Sequence, residues 1–377
     1  MAKSILIVAP EPSGDLHASN LVKDLRSLKP DIKFFGLGGN LSKEAGVEMC
    51  FDISKLAVVA LVDVLINIFT IGKVFKGVLK KVDSQRCDLA ILVDYPGFNL
   101  RLAKELKKRN IPVIYYISPQ IWAWGGDRIN IIKKCVTKML VFFRFEEELY
   151  KKYGVTSEFV GHPLIETVKP GLSRDEVMKK YSLSSSRPII ALLPGSRRTE
   201  VSILLEIMVG AAKLIEKELP GAQILIAKYR SLPLELYEPA VKEMGADIKI
   251  IDGDAYNILS VADFAIVASG TATLETAIIG TPFILTYKTS LINYAAYKMV
   301  AKSKILGLVN WIAGKVIVPE FLQYDATPEK LAQGALEIIR NDTKRSAMIV
   351  ELEKVKDSLG TPGASRRAAQ AILPYLQ

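Results

Sequence analysis

VAPEPSGD, residues 8–15, closes one apolar run and opens a helical pattern. The run SILIV (4–8) is short and uncharged, as a strand buried on both faces requires. Pro10, Pro12 and Gly14 make a turn, and a helix is predicted from about Leu16. Strand, turn and helix in this order open a doubly wound α/β domain, in which ligands gather at the carboxyl ends of the strands. The loop lacks G-x-G-x-x-G, so it is not the usual dinucleotide cradle. It offers Glu11, Ser13, Gly14 and Asp15 instead, a set better suited to a sugar or other polyol than to a pyrophosphate.

Working outward, strands are predicted at 4–8, 32–35, 89–93, 112–117, 138–142 and 158–160. Helices are predicted near 16–28, 58–82, 99–109, 121–134 and 145–153. The pattern breaks at Gly161-His162-Pro163 and at Pro170-Gly171. Ser173 and Glu176 then match a capping box. Alternation restarts with strands at 188–193, 223–227, 248–251, 264–267 and 282–285, and helices close the chain at 328–340, 343–359 and 364–373. The domains are therefore set at 1–170 and 171–363, both Rossmann-like, and 364–377, a helix returning to the first domain. A length of 377 residues, half of them hydrophobic, gives each domain a full core.

Cys50, Cys87 and Cys135 are widely spaced and form no C-x-x-C, which argues against a disulfide framework or a zinc site and fits a reducing cytosol. MAKSILIVAP is too short in its apolar part for a signal peptide, so the chain is read as unprocessed and cytosolic. The net charge of +10 gathers near 73–81, 101–109 and 128–138. No nucleic-acid module accompanies it, which leaves an anionic membrane surface as the natural partner. Segment 58–82 lacks the roughly 18–20 uninterrupted apolar residues of a membrane span. Two readings are open: a helix buried between the sheet and its neighbours, or one that places Val64, Leu65, Ile68 and Phe69 in a lipid interface beside Lys73 and Lys76; the two can hold on different faces.

Asp94 ends the strand 89–93, where a general base or a simple helix cap would both sit. Ser118 and Gln120 follow another strand end, with Trp122 and Trp124 able to stack on a sugar or fill the core. Gly195-Ser196-Arg197 lies between strand and helix, where amides and a guanidinium can hold a diphosphate. Ser269-Gly270-Thr271-Ala272-Thr273-Leu274-Glu275 repeats that placement. Glu275, one turn past Thr271, can take both hydroxyls of a ribose, or can serve the helix dipole alone. His17 and His162 have no ligand-spaced partner along one helix, and Asp252-Gly253-Asp254 reads as a turn, so no metal site is expected.

Two Rossmann-like halves with an inter-domain cleft describe an α/β fold of GT-B architecture. The chain resembles the lipid-A-disaccharide synthases over nearly its whole length. The resemblance rests on EPSGD (11–15), VDYPGFN (93–99), YISPQIWAW (116–124), FVGHPL (159–164), LLPGSRRTEV (192–201), ASGTATLE (268–275) and VNWIAGKVIVPEFLQ (309–323). It implies an inverting, metal-independent transferase without a cofactor, peripheral to the inner face of the inner membrane. Such an enzyme joins UDP-2,3-diacylglucosamine to 2,3-diacylglucosamine 1-phosphate as a β(1→6) disaccharide.

By the same resemblance, Asp94 is the base, and Ser196, Arg197, Thr271, Ala272, Glu275 and Asn310 face the nucleotide. Glu11, Ser13, Ser118 and Gln120 form the acceptor side. Three positions depart from the family pattern. Val309 stands where a proline is common. Gly97 stands where a second acidic residue is common, and Lys315 replaces an arginine and its guanidinium fork. A UDP-sugar 2-epimerase of the same fold and a non-catalytic lipid-binding protein are the alternative readings.

Overall fold

The computed structural model of the protein describes residues 2–52, 64–122, 128–242, 248–290, 294 and 305–376; for 52 and 64–69 it describes the backbone alone. Two compact units result: Met1–Pro163 with Leu359–Gln377, and Leu164–Ser358. The first divides from the second at Pro163, ahead of the 170 read from sequence, and takes back the chain from Leu359.

The first unit runs β1 (Ser4–Val8), α1 (Pro12–Leu28), β2 (Lys33–Gly38), α2 (Asn40–Glu44), β3 (Glu48–Asp52), α3 (Val64–Ser84) and β4 (Leu89–Val93). It continues with α4 (Pro96–Lys108), β5 (Val113–Tyr116), α5 (Arg128–Cys135), β6 (Lys138–Val141), α6 (Arg144–Lys152) and β7 (Ser157–Phe159). The seven strands are parallel in the order β3-β2-β1-β4-β5-β6-β7. β1, β4 and β5 are buried along their whole length or nearly so, which is why they read as unbroken apolar runs. The C-terminal helix Ala364–Ile372 packs on α1: Lys29 Nζ donates to the Leu376 carbonyl at 2.9 Å, and Arg367 Nε to that of Val160 at 2.8 Å.

The second unit contains α7 (Leu164–Thr167), α8 (Arg174–Lys180), β8 (Ile189–Leu193), α9 (Arg198–Glu218), β9 (Gln223–Lys228), α10 (Glu238–Lys242) and β10 (Ile248–Asp252). There follow α11 (Ala255–Val261), β11 (Phe264–Ala268), α12 (Thr271–Ile279), β12 (Phe283–Tyr287), α13 (Leu308–Ala313) and β13 (Glu320–Leu322). Its sheet, β10-β9-β8-β11-β12-β13, is also parallel and repeats the order of the first. The capping box forms as read: Ser173 N donates to Glu176 Oε2 at 2.8 Å, and Glu176 N to Ser173 Oγ at 3.4 Å.

Two helices begin earlier than the sequence reading places them. α1 starts at Pro12 rather than Leu16, and α4 at Pro96 rather than Asn99. Proline at the first helical position loses no hydrogen bond and has the right φ, so these prolines open helices rather than extend turns. Asp15 consequently lies inside the first turn of α1. Its Oδ1 accepts the amides of Gly39 and Ser42, and its Oδ2 that of Leu41, at 2.8–3.1 Å. It caps α2 and is no longer available to a polyol. β3 and β13 were not predicted; both are short edge strands with mixed residues.

Candidate functional site

In each sheet the strand order reverses direction between two central strands, and a crevice opens at their carboxyl ends. In the first unit those strands are β1 and β4, paired as Val8 with Leu92. The motifs VAPEPSGD and VDYPGFN therefore leave the sheet side by side. A Cβ on Gly14 would lie 3.7 Å from Val93 Cγ1. In the second unit the strands are β8 and β11, paired as Leu193 with Val267, and they release Gly195-Ser196-Arg197 and Ser269-Gly270-Thr271.

Asp94 and Tyr95 leave β4 in left-handed conformations, with φ of 51° and 40°. Ile117, past the end of β5, has φ 69°, which its branched Cβ disfavours. Three non-glycine residues at one sheet edge are thus held in costly backbone states. The clamp on Asp94 is visible: its carbonyl accepts from Tyr115 Oη at 2.5 Å and from Asn99 Nδ2 at 2.8 Å. The same Asn99 nitrogen donates to the Val93 carbonyl at 3.0 Å. The Tyr115 and Asn99 side chains thus fix the turn through its carbonyls and do not engage the Asp94 carboxyl. Burial raises the carboxyl's pKa, and the Tyr95 amide opposes that rise. Among the described residues no salt bridge involves Asp94.

Glu11 is the N-cap residue of α1, and Ser13 is exposed beside it. Ser118 is buried and Gln120 exposed on the loop after β5. That loop is held by α6: Tyr150 Oη donates to the Pro119 carbonyl at 3.0 Å, and Trp122 Nε1 to Glu146 Oε1 at 3.1 Å. Glu146 is 2% exposed, and burial lifts its carboxyl to about 7. Trp122 is thus committed to Glu146 and to an edge contact with Phe145, while Trp124 lies outside the described residues. Glu146 escaped the sequence reading because FRFEEELY reads as an ordinary solvated helix.

The fold also brings together the chain's two histidines. His17 and His162 both pack edge-on against Phe142, their rings 5.4 and 5.2 Å from its own. Burial holds them neutral, with pKa values of about 4 and about 3. No group of three His, Cys, Asp or Glu side chains placed for a metal occurs among the described residues.

In the second crevice, Gly195 and Gly270 take φ of 119° and 148°. Such angles require glycine and lead the chain into α9 and α12. Arg197 is the N-cap of α9 and is largely exposed. Its Nη1 lies 2.8 Å from Glu200 Oε1, whose other oxygen faces the Ser196 amide at 3.4 Å. Thr271 and Ala272 open α12, and Glu275 sits half-buried one turn on. Glu275 Oε1 accepts from Tyr256 Oη at 2.8 Å, a partner the sequence reading did not find. Asp254, in the turn read from sequence, holds Lys180 and Asn257.

Asn310 departs from its expected place facing the nucleotide. It is fully buried in α13. Its Nδ2 donates to the Val318 carbonyl and Glu320 Oε1, while its Oδ1 accepts the amides of Ile317 and Val318, all within 2.9 Å. An amide so engaged shapes the approach to β13 and has no capacity left for a ligand. Lys315 pairs with Glu351 at 2.9 Å.

On α3, Val74, Val78 and Val82 are buried at helical spacing, while Ile71, Lys73, Lys76 and Lys80 are exposed. The described part of the helix thus carries a core face and a basic face. Residues 53–63 and the side chains of Val64, Leu65, Ile68 and Phe69 lie outside the described residues. No described helix is long and apolar enough to cross a membrane.

Residues 5–373 match the family described as lipid-A-disaccharide synthetase. A lipid-A-disaccharide synthase of Syntrophus aciditrophicus is 41% identical over 377 residues, covering 100% of this chain and 98% of the relative. One from Coxiella burnetii is 39% identical over 370 residues, 98% of each. Among solved structures, Acinetobacter baumannii MurG aligns over 99% of this chain and all of its own, with TM-score 0.61 and 16% identity. A putative UDP-N-acetylglucosamine 2-epimerase from Listeria monocytogenes aligns over 100% of this chain and 95% of its own, with TM-score 0.62 and 13% identity. The fold is GT-B, and at these identities the structural likeness speaks for the fold alone.

Proposed function

The chain belongs to the lipid-A-disaccharide synthetase family, glycosyltransferases of lipid A biosynthesis, and on that premise we propose an inverting, metal-independent transfer as its reaction. The donor is UDP-2,3-diacylglucosamine and the acceptor 2,3-diacylglucosamine 1-phosphate. The products are UDP and the β(1→6)-linked disaccharide 1-phosphate.

The observation that supports this best is the turn at Asp94. A desolvated carboxylate stands at the switch point, its backbone clamped by Tyr115 and Asn99 and its carboxyl outside that clamp. Strain held at such a place is characteristic of a functional residue. Asp94 takes the proton of the acceptor 6-hydroxyl as that oxygen attacks the anomeric carbon from the face opposite UDP. The C1–O bond to the diphosphate breaks, and its electron pair leaves with UDP. Arg197, the Ser196 amide and the amides opening α12 at Thr271 and Ala272 take up the charge growing there. Glu200 yields its hold on Ser196 and Arg197 to the diphosphate. Glu275 accepts the ribose hydroxyls. Asn310 acts at one remove, by holding the backbone before β13.

Glu11, Ser13, Ser118 and Gln120 line the acceptor's approach in the first unit. The exposed Lys73, Lys76 and Lys80 and the neighbouring Ile71 suit a protein resting on anionic phospholipid at the inner face of the inner membrane.

The test is UDP release from UDP-2,3-diacylglucosamine in detergent with EDTA, with and without the acceptor. Release that requires the acceptor and yields a disaccharide is expected. A 2-epimer formed without acceptor would overturn the transferase in favour of an epimerase.

A further inference from the structure

Tyr256 belongs to no motif in the sequence, yet its hydroxyl meets the one carboxylate assigned to the nucleotide's sugar. We propose that Tyr256 is a positioning residue for ribose, fixing the Glu275 carboxylate so that it accepts the 2′- and 3′-hydroxyls together. The inference rests on the reading that Glu275 meets the ribose.

The bond has only one direction. An ionised carboxylate donates nothing, so the phenol must be the donor. Burial and the neighbouring Glu275 charge both raise the Tyr256 pKa, so the phenol keeps its proton throughout the working pH range. Tyr256 lies in the first turn of α11, which packs against α12, so the hydroxyl is delivered from a fixed element. The bond spans 2.8 Å and occupies one of the roughly four acceptor positions of the carboxylate. The remaining positions exceed the two that a ribose diol needs.

Glu275 also needs such a partner. Burial raises its pKa, and the Tyr256 hydrogen bond is what opposes the rise. Among the described residues no cation pairs with it. Without the phenol, the carboxyl would turn about its last torsion and take up a proton more readily. A protonated carboxyl has fewer acceptor positions for a diol.

The experiment measures UDP and 2′-deoxy-UDP affinity by calorimetry for the full chain, Tyr256→Phe and Glu275→Gln. Glu275→Gln should abolish the preference for UDP over the deoxy nucleotide. Tyr256→Phe should weaken UDP roughly tenfold, as loss of a hydrogen bond to a charged group does, and leave 2′-deoxy-UDP far less affected. Equal weakening of both nucleotides, or no change in either, would overturn the inference while leaving Glu275 in place. An unchanged preference in Glu275→Gln would instead overturn the ribose reading itself. Melting temperatures check that each variant is folded; Tyr256→Leu, read the same way, replaces Tyr256→Phe if that variant does not fold.

Discussion

β4 and β11 hold the same place in their two sheets, beside β1 and β8, yet their exits are built from opposite materials. After β11 the chain turns through Gly270 at φ 148°, a state that glycine takes freely, and a Cβ there would touch nothing within 4 Å. After β4 it turns through Asp94 and Tyr95 at φ 51° and 40°, and three hydrogen bonds from Tyr115 and Asn99 hold the turn. A loop that binds through its amides needs no side chain, so glycine serves. A loop that must deliver a carboxylate carries the strain of a side chain at positive φ. On the proposed function, one topology provides a binding crevice and a reactive crevice, with different backbone angles at their two exits.

The largest effect should follow from replacing the carboxylate while keeping the turn. Asparagine tolerates left-handed φ as aspartate does, so Asp94→Asn isolates the charge. Turnover should fall by about 10²- to 10⁴-fold, the usual contribution of a general base, with UDP affinity unchanged in calorimetry. Asp94→Gly sharpens the contrast by making the exit of β4 resemble that of β11. It should be equally inactive, yet melt at the same or a higher temperature because the strain is relieved. A clearly lower melting temperature would mean that Asp94 serves the fold rather than the reaction.

A second contrast lies within α3. Lys73, Lys76 and Lys80 together replaced by glutamine should weaken binding to anionic vesicles in co-sedimentation by roughly 100-fold, at about 1 kcal/mol for each lysine near the surface. The melting temperature should hold, because these side chains are exposed. Val78→Glu, on the buried face, should instead unfold the first unit. Undiminished vesicle binding by the lysine variant would take the membrane away from this helix.

Arg197→Ala should have a smaller effect, weakening UDP by roughly tenfold as judged from charge-assisted hydrogen bonds. The guanidinium is 77% exposed, so solvent screens it. An unchanged UDP affinity would leave the glycine-led amides as the whole of the anion site.

Both sheets were legible in the sequence because their central strands are apolar from end to end. What escaped was local or long-range. Pro12 read as a turn residue and Pro96 fell ahead of the helix predicted from 99, although proline is equally at home in the first turn of a helix. Asp15 read as a free carboxylate, because its partners Gly39, Leu41 and Ser42 are distant in sequence. Glu146 and Tyr256 were missed for the same reason: each is ordinary in its own helix and distinctive only through Trp122 or Glu275. Asn310 shows the converse, since its motif drew attention to the residue but not to its four internal bonds.

The smallest effect separates the two units by pH. Both histidines, and Glu146, lie in the first unit. His17 and His162 bind their protons less readily when folded, at about 4 and about 3 against an ordinary 6.5. Their contribution to stability is full above about 6.5 and is lost as pH falls toward those values. Glu146 acts oppositely: its folded value of about 7 exceeds the ordinary 4.5, so its cost grows as pH rises between them. Glu146→Gln removes that cost, and its melting temperature relative to the parent should climb from pH 5 to pH 8. In that background the histidines carry the large shifts left in the first unit, opposed by Asp94, whose carboxyl burial raises, and the first unit should lose stability from pH 6.5 to 4.5 faster than the second. Trp122 and Trp124 lie in the first unit and Trp311 in the second, so Trp311→Phe makes fluorescence a probe of the first unit, and replacing the other two makes it a probe of the second. Parallel pH trends in the two probes would mean that the imidazoles do not govern acid stability, and that the aromatic cluster around Phe142 tolerates their charge.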